Sequence, residues 1–328
     1  MKVNRIYCFS ANRICHHDDY YLLVNKIRTS FNVKKRGEKL RILLGKGPIL
    51  FFDIDSSDLI YFPIILIRGL WGGNGLAISV RTEYLLEKRT IIQFLFNRNR
   101  LIFVKSLVKR MIFFLLKKYS STTILSIHKN HEQRKRMEPF VNDFIQDPQL
   151  WDLEFLKLKS IKPIELDGYV SAKSGPVILI AGRFDEQRSK SELLQFLSKN
   201  PNFNFIIAGI IESNDNQILN RYSNCFILNR FLSNEELIYL YEYCAIIYCY
   251  YTNDRPSGFF GRALQYNKPI IVRKNKFLHQ AYNDYEKLIP VDSLIDLSSF
   301  NFDSIEVQGS INHKFNDSIV FSKYLMDL

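Results

Sequence analysis

The chain has 328 residues, 47% hydrophobic and 24% charged, a composition that excludes a disordered or fibrous protein and suits two domains of roughly 150 residues each. No run reaches the ~18–20 apolar residues that span a bilayer, and MKVNRIYCFSANR at the start lacks the apolar core of a signal peptide. The net charge of +12 implies an anionic partner, and five cysteines without metal-ligand spacing point to a reducing, cytoplasmic compartment.

In chain order, NRIYCFS (4–10), ILLGKGPILFFDID (42–55), LAISVR (76–81) and TTILSIH (122–128) are predicted strands. HDDYYLLVNKIRTSF (17–31), FPIILIRGLW (62–71) and a long stretch over 82–119 are predicted helices. Residues 139–175 hold Asp147-Pro148, Pro163 and Gly168 with little periodicity, and are read as the connection between domains. Beyond them the pattern is cleaner. PVILIAGRF (176–184), FNFIIAGII (203–211), CFILNRF (225–231), AIIYCYY (245–251) and PIIVRK (269–274) are short apolar runs of the kind that form buried parallel strands. Between them, SKSELLQFLSKN (189–200), NEELIYLYEYC and SGFFGRALQYN have helical spacing, and Ser233 with Glu236 three residues on is a capping box. Strands alternating with helices predict an α/β fold of two Rossmann-like domains, each a parallel sheet flanked by helices, with a cleft between the domains. The expected division is 1–172, 173–290 and a tail over 291–328 that is helical at its end and packs back on the protein.

The charge is one-sided. Residues 1–172 carry 29 Lys and Arg against 16 Asp and Glu, so all of the positive excess lies there. Within it, RNRLIFVKSLVKRMIFFLLKKY (98–119) mixes cations with Leu, Ile, Phe and Val. Such a helix either lies on an anionic membrane surface or is a core helix with a solvated basic edge. Its cations are not interleaved with stacking aromatics, so no nucleic-acid partner is expected.

Three features fall at predicted strand ends, where open α/β sheets bind ligands. Gly182-Arg183 ends the strand 176–184, with Arg188 and Lys190 near the next helix start, and these cations can meet a diphosphate. Gly209 ends the next strand, where a backbone must come close to something. Asn253-Asp254-Arg255-Pro256-Ser257-Gly258 leads into a helix whose amides and dipole favour a phosphate.

The order GRF, NFNFIIAG, FILNRFLSNEELIYLY and AIIYCYY…RPSGFFGRALQYNKPIIV resembles the C-terminal domain of GT-B glycosyltransferases, over about residues 176–282. The group it is most similar to is glycosyltransferase family four and its relatives in bacterial surface-polysaccharide synthesis. The resemblance implies a nucleotide-diphosphate sugar as donor, no cofactor and no metal, and a growing, lipid-linked glycan as acceptor. It implies a peripheral enzyme on the inner face of the plasma membrane. Arg183, Arg188, Ser257 and Gly258 take the places of diphosphate ligands, and Asn267-Lys268-Pro269 stand for the usual Gly-x-Pro. Of the family's two paired acids, the first aligns with Asp254 and the second with Arg262, which cannot accept hydrogen bonds from a ribose but can grip a phosphate or a carboxylate. In the N-terminal half, His16, His17 and Asp19 are candidates for the catalytic base or a metal-ligand pair, or else form a polar loop that caps the next helix through Asp18. Arg81 stands where relatives carry a cleft His, and it could bind an acceptor phosphate. Gly72-Gly73-Asn74-Gly75 is read as a turn, because a strand and not a helix follows it. Asp53-Ile54-Asp55 is set aside as a metal site because it lies in the presumed acceptor half. The rival expectation is a non-catalytic GT-B-like scaffold. A dinucleotide-dependent oxidoreductase is set aside because no Gly-x-Gly-x-x-Gly follows a first strand.

Overall fold

The computed structural model describes residues 7–9, 47–51, 54, 61–79, 100–127, 131–146, 150, 155–167, 175–254, 256–299, 321 and 323–324. The predicted helix over 17–31 and the part of the 82–119 helix before residue 100 lie outside them. The chain forms two compact units, Met1–Trp151 with Asn316–Leu328, and Asp152–Phe315. The break falls inside the predicted connection and upstream of the boundary read at 172.

In the first unit, β1 (Tyr7–Phe9), β2 (Ile49–Phe51), β3 (Gly75–Ser79), β4 (Thr122–Ile127) and β5 (Asp143–Ile145) form a sheet in that order, every described pairing parallel. β2 and β3 are wholly buried, as strands covered on both faces must be. Helices α1 (Tyr61–Leu70) and α2 (Arg100–Tyr119) pack on one another. Ile65 of α1 and Ile112, Phe113 and Leu116 of α2 enter the core around Phe51 and Ile124. Arg68 explains the glycine-rich turn. Its buried guanidinium donates to the carbonyls of Gly47 and Asn74, and a Cβ on Gly73 would lie 2.8 Å from its Cζ. The loop is therefore closed by the protein's own cation. Helix α3 (His131–Met137) and β5 fall in segments without a sequence signal. β5 is added to the β4 edge, where Asn142 exchanges its amide and side chain with the backbone of Ile124. Phe321, in the returning tail, is buried, and Tyr324 donates to Asp143 in 2.5 Å contact.

The second unit is a six-stranded parallel sheet: β6 (Val177–Ala181), β7 (Asn204–Ala208), β8 (Cys225–Leu228), β9 (Ile246–Cys249), β10 (Ile270–Arg273) and β11 (Leu288–Val291). Their spatial order is β11-β10-β9-β6-β7-β8, so the direction of winding reverses between β6 and β9. Ligands of doubly wound sheets bind beyond the strand ends at such a reversal. Helices α4 (Lys190–Lys199), α5 (Ser213–Leu219), α6 (Asn234–Tyr243), α7 (Gly258–Gln265) and α8 (Phe277–Ala281) connect the strands. Leu193, Phe196 and Leu197 of α4 pack with Phe205 and Ile207, burying the stripe that the spacing predicts. The capping box of α6 forms in both directions between Ser233 and Glu236. Cys244 and Cys249 are buried thiols as expected, and burial pushes the Cys249 thiol up to about 12.

Residues 155–167 form a strap on this unit. Phe155 is buried beneath the Arg262 guanidinium, 3.9 Å from its ring centre, and meets Tyr266 edge-on. Further along, Arg230 binds Glu165 with two hydrogen bonds of 2.6 and 2.8 Å and holds Glu236 on its other side. Arg230 holds the Glu165 carboxyl at a pKa of about 2, below its usual 4.5. The folded pKa is depressed, so this contribution is complete above pH 4.5 and is lost as pH falls through about 2. Arg230→Ala is expected to raise amide hydrogen exchange at residues 161–166 at least tenfold at neutral pH, with β6 and β7 unchanged. Wild type is expected to keep that protection at pH 5 and lose it in acid. Equal exchange in the two proteins would show that Arg230 does not hold the strap.

Candidate functional site

The site is built on the ends of β6 and β9. β6 closes on Gly182, whose φ of +110° turns the chain outward into Arg183. Arg183 is exposed and has no side-chain partner among the described residues. The chain returns through a short 3-10 turn, Glu186–Arg188, into Ser189, whose left-handed φ of 56° starts α4.

Arg188 is not an outward cation. Its Nη1 donates to the Ala181 carbonyl at 2.5 Å and to the Tyr251 hydroxyl at 2.9 Å, and its Cζ lies 4.9 Å from the Tyr251 ring centre. A Cβ on Gly182 would fall 2.4 Å from Arg188 Nη2, so the glycine also makes room for the guanidinium. Tyr251 is buried, which drives its phenol pKa up, while Arg188 and the Ser257 hydroxyl pull it back. Arg188, Tyr251 and Ser257 thus join the β6 tip to the loop that enters α7.

Ser257 caps α7, its hydroxyl accepting from the Phe260 amide at 3.3 Å. The next amide to be satisfied is Gly261, which donates to the Ser257 carbonyl. The amides of Gly258 and Phe259 have no acceptor among the described residues, and no acid lies in the first turn. The starts of α4, α6 and α8 differ. Glu186 accepts from Ser191 at the start of α4, Glu236 closes α6, and Asp254 accepts from the Phe277 amide at the start of α8. Among the described residues, the positive end of α7 meets no protein acid in its first turn.

Several of the expected ligands are engaged elsewhere. Lys190 forms an ion pair of 3.1 Å with Asp215, which raises its pKa. Asp254 is drawn to α8, with Lys276 at 3.4 Å from its second oxygen. Arg262 stacks on Phe155 and donates to Gln265 at 3.0 Å, so it serves the strap. Gly209 serves the backbone. Its φ is +131°, and a Cβ there would sit 2.1 Å from the Gly182 carbonyl oxygen, so the ends of β6 and β7 can close only over a glycine. Asn267 takes the glycine's part in the Gly-x-Pro pattern, with φ at 51°, a conformation asparagine tolerates. Arg255, His16, His17, Asp19 and Arg81 lie outside the described residues, as do Asp53 and Asp55. No group of three or more metal-binding side chains occurs among the described residues.

The sequence reading missed the tyrosines at the β9 end. Tyr248 donates to the Arg188 carbonyl at 3.0 Å, and Tyr250 donates to the Asp292 carbonyl at 2.7 Å and lies 3.1 Å from Glu192. Arg273 stacks on Tyr250 and pairs with Glu192. The signal was available: two residues apart in a strand puts Tyr248 and Tyr250 on one face, and a buried phenol needs a partner.

No family model and no curated protein matches the chain. Solved structures do match. A UDP-forming α,α-trehalose-phosphate synthase from Burkholderia xenovorans is 10% identical at a TM-score of 0.57, over 95% of this chain and 78% of that one. A UDP-GlcNAc 2-epimerase from Neisseria meningitidis, bound to UDP-GlcNAc, is 13% identical at a TM-score of 0.52, over 99% of both chains. A sucrose-phosphate synthase from Thermosynechococcus elongatus is 11% identical at a TM-score of 0.51, over 97% of this chain and 72% of that one. At these identities the likeness is one of fold, and the fold is GT-B. It is shared by transferases and an epimerase, so it leaves the reaction to be argued from the site.

Proposed function

We propose that the chain is a glycosyltransferase that uses a nucleotide-diphosphate sugar, with the diphosphate held by Arg183 and the α7 amides. The observation that carries this is the first turn of α7 beside the β6–β9 reversal, whose Gly258 and Phe259 amides have no acceptor among the described residues, with Arg183 exposed and without a side-chain partner among them. As the sugar–oxygen bond breaks, negative charge builds on the leaving diphosphate. Two fixed N–H dipoles and a guanidinium stabilise that charge more in the transition state than in the ground state. In this reading Arg188 positions Ser257 through Tyr251, and Arg262 leaves the ribose to other groups. The first unit supplies the acceptor side, with His16, His17 and Asp19 as candidates for the base and Arg81 for an acceptor phosphate. The acceptor is a growing, lipid-linked glycan of a surface polysaccharide at the inner face of the membrane, and the charge of residues 1–172 supports that finer reading.

One observation favours the scaffold alternative: Arg188, Lys190, Asp254 and Arg262 all have protein partners, leaving a thin ligand set. A thermal-shift panel of UDP-, GDP- and CMP-sugars separates the two. A donor at a hundred times its Kd is expected to add ~2.7 kcal/mol to the stability of the folded chain. No shift with any nucleotide would remove the transferase reading in favour of the scaffold.

A further inference from the structure

The described residues include fifteen exposed large hydrophobics, and eight of them lie on α1, on α2 or directly after α1. On α2, Val104, Leu107, Met111 and Phe114 follow one another at steps of three and four, so they form a single stripe. They are 47%, 58%, 56% and 40% exposed, while Ile112, Phe113 and Leu116 on the other side enter the core. An exposed apolar helix face of this length marks an interaction surface.

The end of α1 adds to this face. A Cβ on Gly69 would stand 2.4 Å from the Ser120 Cβ, so the last turns of the two helices meet without room for a methyl group. That contact brings Leu70 and Trp71, 53% and 76% exposed, to the end of α2 where Tyr119 is also exposed. Trp and Tyr at one end of an apolar stripe are the residues that settle at a membrane–water boundary.

The surroundings are cationic. Lys118 lies over the Phe114 and Tyr119 rings at 5.6 and 5.2 Å. Lys117 donates to the Glu138 carbonyl, which sets the Arg134–Lys135–Arg136 run of α3 near the same helix end. Lys118, Lys135 and Arg136 are exposed and have no acidic partner among the described residues. No helix of the described residues is long and apolar enough to cross a membrane.

We infer that the α1–α2 face docks on an anionic lipid bilayer, with the α2 stripe and Trp71 in the acyl boundary and Lys118, Lys135 and Arg136 on lipid phosphates. The charge decides between occupants: a second copy of the same basic face would repel it, whereas an anionic surface complements it. The inference extends the expected 98–119 contact to a two-helix surface. It does not depend on sugar transfer, since vesicle binding needs no turnover.

The test is flotation of the full chain with phosphatidylcholine vesicles, with and without phosphatidylglycerol. Binding is expected only with the anionic lipid, and it should weaken as salt rises. Leu107→Glu with Met111→Glu, at exposed positions that leave the core intact, is expected to lower partitioning at least tenfold, with an unchanged circular dichroism spectrum. Lys135→Glu with Arg136→Glu is expected to lower it about tenfold at low salt and less at high salt. Tryptophan emission should move to the blue on binding, and Trp71→Phe should abolish that shift. Absence of flotation, or a dimer in sedimentation velocity that Leu107→Glu with Met111→Glu separates, would overturn the inference.

Discussion

Replacing Arg183 by alanine is expected to lower sugar transfer about a hundredfold, or ~2.7 kcal/mol of transition-state stabilisation, while moving the melting temperature by no more than ~2 °C. The two halves of this expectation have separate causes. The stability half follows from exposure: the Arg183 side chain has no partner among the described residues, so truncation leaves no orphaned group behind. The activity half follows from place, since Gly182 turns the chain so that residue 183 stands at the β6 end, next to the reversal of strand order. Arg188→Ala is the contrast. It would leave the Ala181 carbonyl without its donor and remove the ring contact with Tyr251, so stability and activity should fall together. The measurement is the nucleotide-sugar thermal shift and the turnover of both proteins. Equal turnover in Arg183→Ala and wild type would remove Arg183 from the site.

Gly209→Ala is expected to destabilise the second unit by about 3 kcal/mol or more, and to do so whether or not the protein binds a nucleotide. The new methyl group would lie 2.1 Å from the Gly182 carbonyl oxygen, and the obstacle is backbone on both sides, so no rotamer change relieves it. The φ of +131° adds strain of its own for any residue with a Cβ. Pushing the chains apart would break the Gly182 amide bond to the Ala208 carbonyl and the Gly209 amide bond to Leu228, which tie three adjacent strands. Urea unfolding checks this: the midpoint should drop with little change in slope. A midpoint within ~0.3 M of wild type would mean that the strand ends separate at little cost and that Gly209 was retained for a ligand instead.

Much of the second unit could be read from sequence because its signals are local. The apolar runs that became β6 to β10 are bounded by Gly, Pro or Asn, and the Ser233–Glu236 cap spans four residues. What sequence could not show was which charged groups would find each other across the fold. Lys190 meets Asp215, 25 positions away, and Asp254 meets the start of α8, 23 positions away. Both stood at sensible ligand positions, and both were taken by partners that only the folded chain brings near. Gly209 is legible in the sequence as a place of close backbone approach, but the partner is not: it is the Gly182 carbonyl, and Gly182 in turn makes room for Arg188. The close approach is between two backbones and a guanidinium, and neither φ nor that distance is written in a residue type. β5, three residues long, is too short to show a period and exists because β4 offers it an edge.

The strap bears on how such a protein could be rebuilt from halves. Chimeras are usually joined where one lobe's sequence seems to end, here near residue 172. A seam at that point would exchange Phe155 and Glu165 with the donor of the front half, taking from Arg262 the ring it covers and leaving Arg230 with Glu236 but not Glu165. Each guanidinium would then meet an ill-matched neighbour on the side the strap had covered. Grafts cut close to residue 151 would carry each cation together with its counterpart, and should tolerate exchange far better.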